Sequence, residues 1–122
     1  MKNIEELKKI LKASQSISLV VVGSTAKDFD FTDKTIVSAS IVERDLFDSE
    51  DFYLKCISKP LLLIDGLDTI GEQEQEKFVG LIKDRSVWSS RLPENVQIVI
   101  TVKSKRKLSK KIQNLIWFWV LN

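Results

Sequence analysis

Histidine is absent from the 122 residues, and cysteine occurs once, at Cys56. Without histidine the chain lacks the usual general base near neutral pH and the commonest metal ligand, so Ser-His and Cys-His nucleophile pairs are excluded. A single cysteine forbids an internal disulfide and leaves a thiolate zinc site without its ligands. Cys56 itself, in FYLKCIS, reads as a small buried apolar residue. No apolar run approaches the roughly 18 to 20 residues that a membrane span needs. The first stretch, MKNIEELKKILKAS, is charged throughout, where a secretory signal carries a continuous apolar segment. These absences point to a cytoplasmic protein with no membrane attachment. What is present fits that reading: 43% hydrophobic and 30% charged residues are the proportions of a globular chain long enough for one self-sufficient domain, 1–122.

The net charge is only +2, but its distribution is uneven. VERDLFDSED (42–51) holds five acids against one arginine, whereas KSKRKLSKK (103–111) holds six bases and no acid. Such asymmetry steers an acidic or polyanionic partner toward one end of a molecule.

Apolar periodicity supplies the elements. Ile4, Leu7, Ile10 and Leu11 recur at helical spacing among lysines and glutamates, which predicts a short amphipathic helix ending near Ser14. ISLVVVG (17–23) and TIVSASI (35–41) are β-branched runs bounded by turn residues and read as strands. Residues 43–58 place Leu46, Phe47, Phe52, Leu54 and Ile57 on one helical face. PLLLID (60–65) is apolar on both faces, as a central strand covered on both sides must be. Thr69 followed by Glu72 has the spacing of a capping box, and Phe78, Leu81 and Ile82 form the buried stripe of a helix over 70–85. VQIVITV (96–102) is the next strand, LSKKIQNL (108–115) a helix, and IWFWVL (116–121) a last strand apolar on both faces. Helices alternating with strands in this order predict an α/β fold, a three-layer sandwich on a mostly parallel five-stranded sheet. The three tryptophans read as packing residues, with Trp88 in VWSSRLPEN alternatively an exposed anchor for a partner.

Residues 60–104 resemble the second half of the AAA+ ATPase core, a branch of the P-loop NTPases. LLLIDGLD occupies the place of the Walker B strand, EQEQEKFVGLIKDR is similar to the helix after it, and LPENVQIVIT resembles the loop and strand leading to sensor 1. The resemblance implies that Asp65 sits at the magnesium position. It also implies assembly into oligomeric rings and a protein partner, which could itself be an active ATPase.

The chemical parts of that family are missing from the sequence. Phosphate cradling needs GxxxxGK[ST], yet the first strand runs into GSTAKDFDF, where Gly23 and Lys27 are the only echoes. About ten residues separate the first two strands, fewer than a helical crossover uses. The catalytic glutamate position falls on Gly66, sensor 1 on Lys103, and the chain stops at Asn122, short of a helical lid. The expected outcome is a truncated, degenerate AAA+-like core with no catalytic residue, no cofactor and no metal, and with Asp65 and Asp68 as relic positions. Local chemistry gives these two acids an alternative use: Asp68 or Thr69 caps the following helix, while Asp65 accepts from nearby backbone amides.

Three functions follow. The first is a pseudo-ATPase interaction module, in a replication or mobile-element assembly. The second is nucleic-acid binding through Lys103, Lys105, Arg106, Lys107, Lys110 and Lys111, six bases in nine residues with no aromatic interleaved for base stacking. The third is a weak nucleotide-binding protein or an unrecognised enzyme using Asp65, Asp68 and Lys103 at the carboxyl ends of the strands, where open α/β sheets place ligands.

Overall fold

The computed structural model describes residues 4–13 and 17–121. The first helix, α1 (Ile4–Ala13), buries Leu7 and Leu11 and turns its lysines outward. Its expected end near Ser14 lies outside the described residues.

Seven strands follow: β1 (Leu19–Val22), β2 (Lys34–Ser38), β3 (Leu61–Asp65), β4 (Ser86–Val87), β5 (Ser90–Arg91), β6 (Gln97–Val102) and β7 (Phe118–Leu121). Five of them form one parallel sheet in the order β2-β3-β6-β1-β7, and β4 pairs with β5 in a separate antiparallel hairpin. All six residues of β6 and the first four of β3 are buried. Leu62 pairs with Ile98 and Ile64 with Ile100, so the two unbroken apolar runs lie side by side at the centre, covered on both faces as parallel strands require.

Alternation sorts the strand residues into two cores. Val20, Leu62, Ile64, Ile98 and Ile100 face one side, where they pack with Phe52, Phe78, Leu81 and Ile112 from the helices α2 (Glu50–Cys56), α4 (Val79–Asp84) and α5 (Lys110–Leu115) and the turn before α4. Leu19, Val21, Leu61, Leu63 and Val99 face the other side, under Leu11 of α1 and Phe29. Phe29 belongs to a 3₁₀ turn, Ala26–Phe29. The three layers are therefore present, but on this second face the covering material is one helix and the connection over residues 23–33 from β1 to β2. That connection moves sideways by three strand spacings, about 14 Å, and its completely buried Phe29 fills the space a crossover helix would fill.

Several elements depart from the sequence reading. The segment over 43–58 is a 3₁₀ turn, Arg44–Asp48, and then α2, because the Ser49 hydroxyl accepts from Phe52 N at 3.3 Å and starts a new helix. The helix over 70–85 runs as α3 (Glu72–Gln75), a 3₁₀ turn (Glu76–Phe78) and α4, which still buries Phe78, Leu81 and Ile82. The hairpin β4–β5 was not predicted. Its two-residue tip, Trp88–Ser89, has φ of +55° and +57°, the backbone of a type I′ turn without the Asn-Gly pair that normally announces it. Last, β7 is an edge strand paired only with β1, and Phe118 and Leu121 are exposed. Its apolar residues on both faces do not signal a covered strand.

Candidate functional site

The carboxyl edge of the sheet gathers the loop after β1, the end of β3 and the start of the basic segment after β6. Asp65 ends β3, and its Oδ1 accepts from Ala26 N at 3.0 Å and from the Thr101 hydroxyl at 2.6 Å. Thr101 Oγ1 in turn accepts from Gly66 N at 3.2 Å. The partners of Asp65 are thus distant in sequence, on β6 and on the loop after β1, and not the nearby amides expected of it.

The first four amides of that loop are all engaged. Gly23 N and Ser24 N both donate to Val102 O, at 2.7 and 3.4 Å, Thr25 N donates to Asp28 Oδ2 at 3.0 Å, and Ala26 N is held by Asp65. A phosphate cradle is a concave set of unspent N–H groups; here four consecutive donors are consumed by the protein. Asp65, which the resemblance sets at the magnesium position, accepts a hydroxyl and an amide through Oδ1.

Gly66 has φ +73° and ψ +41°, and a Cβ added there would lie 3.2 Å from Thr69 Cγ2. A glutamate here would be strained, since the left-handed region disfavours side-chain-bearing residues.

Asp68 does not cap the following helix. Its Oδ2 accepts from Lys103 N and Ser104 N, both at 3.0 Å, and so secures the root of the basic segment. Asp68 is buried, and its Oδ1 has no partner among the described residues. Nor does Thr69 form a capping box with Glu72: its hydroxyl donates to Gly66 O at 2.6 Å, and the residue preceding α3 is Gly71, which has no side chain to accept. Asp65, Asp68 and Lys103 do share the sheet edge, but Lys103 meets Asp68 through its backbone amide while its side chain is exposed. No ammonium is thereby placed against either carboxylate as a reacting group. Among the described residues, no three His, Cys, Asp or Glu side chains form a group that could hold a metal ion.

The basic segment is tied down along its length. Gln75, fully buried, donates to Lys107 O at 2.9 Å and accepts from Ser109 N at 2.7 Å. Gln113 donates to Lys105 O and Leu108 O, and Ser109 caps α5 by accepting from Ile112 N. Leu108 and Ile112 are buried, whereas Lys103, Lys105, Arg106, Lys107, Lys110 and Lys111 are all exposed. Lys105 Nζ stands 4.3 Å above the Trp119 ring; an aromatic absent from the segment in sequence is present in space. Sequence reasoning missed Gln75, whose role depends on a turn 32 residues away, and the lysine over Trp119, which packs against the core as expected of it. Trp117 is not a packing residue at all, being 87% exposed.

No protein-family model matches the sequence, and no curated protein does. Solved structures match over nearly the whole chain. A mutant of Thermotoga maritima RuvB aligns with a TM-score of 0.63 at 15% identity, covering 98% of this chain and 45% of that one. A DNA polymerase III gamma-subunit-related protein, also from Thermotoga maritima, aligns with a TM-score of 0.61 at 14% identity, covering 99% and 46%. The chain has an AAA+-like fold. It spans a little under half the length of these structures, and identities this low establish the architecture alone. Within this fold β3 and β6 lie side by side, as the resemblance over residues 60–104 implied for those two strands. No helix among the described residues is long and apolar enough to cross a membrane.

Proposed function

We propose that the chain is a catalytically inactive AAA+-like module that acts by binding a protein partner. The observation that carries this reading is the internal use of the amides of Gly23, Ser24, Thr25 and Ala26. These four amides, donated within the protein, are not left for phosphate, and the aspartate that the resemblance sets at the magnesium position is one of their acceptors. The sheet is retained because it is the core, while the loops that carry chemistry change without unfolding it. The name of one similar structure, a DNA polymerase III gamma-subunit-related protein, supports a DNA replication assembly as the setting, with an active ATPase as one form the partner could take.

Calorimetry with magnesium-ATP tests the inactive half of the proposal. The expected result is no binding heat and no phosphate release above buffer; a micromolar dissociation constant or steady turnover overturns it. Affinity capture of the full chain, followed by identification of what it retains, tests the binding half.

A second reading has its own support. The basic segment is a ridge of fixed shape, held by Asp68, Gln75 and Gln113, and six cations on such a ridge suit the phosphates of a nucleic acid.

A further inference from the structure

The opposite end of the sheet carries a cavity that the AAA+-like reading leaves unused. It lies at the amino ends of β1 and β7, between them and the carboxyl ends of α4 and α5, and holds about 470 Å³, within the size range of small-molecule sites. Three cations line it: Lys83 and Arg91 at the exposed rim and Arg85 in the wall. A single acid, Asp84, stands against them, giving a local balance of +2. Ile82 and Leu115 form an apolar side, and the largely exposed indole of Trp117 flanks the opening.

Arg85 is the unusual member. Only 5% of it is exposed. Its Nη2 donates to Pro93 O at 2.8 Å and to Val96 O at 2.7 Å, while Nε and Nη1 have no acceptor among the described residues. A buried guanidinium left partly unsatisfied is costly and needs a reason. Burial, and then the nearby Arg91, lower its affinity for a proton, and Glu94 offsets this only in part, so the two guanidinium groups are near enough to act on one another. The backbone is held in the same unfavourable way. Arg85 is itself left-handed at φ +52°, as are Trp88 and Ser89 at the hairpin tip. The hairpin brings Arg91 back beside Arg85: Ser86 pairs with Arg91, and Leu92 N donates to Arg85 O at 2.7 Å. Arg85 takes that conformation where α4 ends, and Trp88 and Ser89 take it in their two-residue turn, so this backbone fixes where Arg91 returns.

We propose that this cavity binds a small phosphomonoester with a planar, partly apolar body. The phosphate would sit between the exposed Lys83 and Arg91, whose two charges match its own, with the buried Arg85 adding positive potential from the wall, and the planar body would lie on Trp117 against Leu115. Guanidinium groups suit a phosphate because their planar N–H arrays match its oxygens, and an indole face suits a flat partner. This site is independent of the inactive loop after β1, which lies at the far end of the strands.

Phenyl phosphate is the probe, titrated into the full chain by calorimetry, with inorganic phosphate and phenol in parallel. Saturable one-site binding of phenyl phosphate, tighter than that of either half alone, is the expected result. Arg91→Gln and Lys83→Gln, both at exposed positions that leave the fold intact by circular dichroism, should each weaken it by about tenfold, the loss of one charged contact. Trp117→Ala should weaken phenyl phosphate while leaving inorganic phosphate unchanged. Lys107→Gln, on the basic ridge at the other end, should change nothing. The proposal is overturned by absence of saturation at millimolar probe, by wild-type affinity in Arg91→Gln and Lys83→Gln, or by an equal loss in Lys107→Gln, which would show a diffuse charge effect.

Discussion

Asp65 and Gly66 bear on the proposed loss of a nucleotide site in different ways, Asp65 through its carboxylate and Gly66 through its backbone. Asp65 is the acceptor that joins β6 to the loop after β1, and Gly66 takes a left-handed turn that a side chain resists. Restoring the missing acid by Gly66→Glu should therefore lower stability by about 1–2 kcal/mol and produce no phosphate release; turnover in that variant would mean the loop can re-form a cradle. Cys56 offers a second check at this scale. It is fully buried, and burial pushes its thiol up to about 11. A folded value above that of the unfolded chain, about 8.5, means the unfolded state ionises first. The contribution is complete below that pH and is lost as pH rises toward 11. The denaturation midpoint should fall over this window, and less steeply in Cys56→Ala than in the wild type. A thiol reagent at pH 8 should leave the native protein unlabelled.

Elements whose residues answer to one neighbour were legible in the sequence, and those whose residues answer to several were not. PLLLID announced a central strand because both faces are apolar, and Leu62 and Ile64 do lie against Ile98 and Ile100. Truncating Leu62 to alanine should cost about 2–5 kcal/mol, measured by chemical denaturation; an unchanged midpoint would contradict its complete burial. IWFWVL carries the same apolar pattern, yet it is an edge strand, because pattern alone cannot tell a covered face from an exposed one. The Thr69–Glu72 spacing predicted a capping box, but Thr69 Oγ1 is taken by Gly66 O, a competition set by the left-handed glycine. Asp65 and Asp68 were recognisable as candidates, while their true partners, Thr101, Ala26 and the amides of Lys103 and Ser104, lie 35 to 39 residues away. The hairpin tip was illegible for a different reason: Trp88 and Ser89 occupy a turn that favours asparagine and glycine. Ser89→Gly should relieve that strain and raise stability by roughly 0.5–1 kcal/mol, read as a higher midpoint; a fall would show that the tip conformation is not strained.

At the scale of the molecule, charge is segregated along the sheet. The five acids of residues 42–51 are exposed beside the edge strand β2, whereas the six bases follow β6 and lead to the opposite edge, β7. A polyanion approaching such a particle is oriented before it makes contact. What distinguishes the basic segment from a flexible tail is its fastening: Asp68 holds its first two amides, Gln75 its middle and Ser109 the helix that ends it. A backbone already held in place loses little freedom on binding, so several of its side chains can contact phosphates together. If nucleic acid is the ligand, the logarithm of affinity should fall linearly with the logarithm of salt with a slope of several, about 0.9 for each phosphate contacted on duplex DNA. Replacing Lys105, Arg106 and Lys107 with serine should lower that slope by roughly one per lost contact, with little dependence on base sequence. Gln75→Ala should act differently: it removes no charge, so the slope should hold while affinity falls, because the ridge loses its shape. Fluorescence anisotropy with single- and double-stranded oligonucleotides at two salt concentrations measures all three quantities. Absence of binding at low salt would exclude the nucleic-acid reading and leave the ridge to an acidic protein surface.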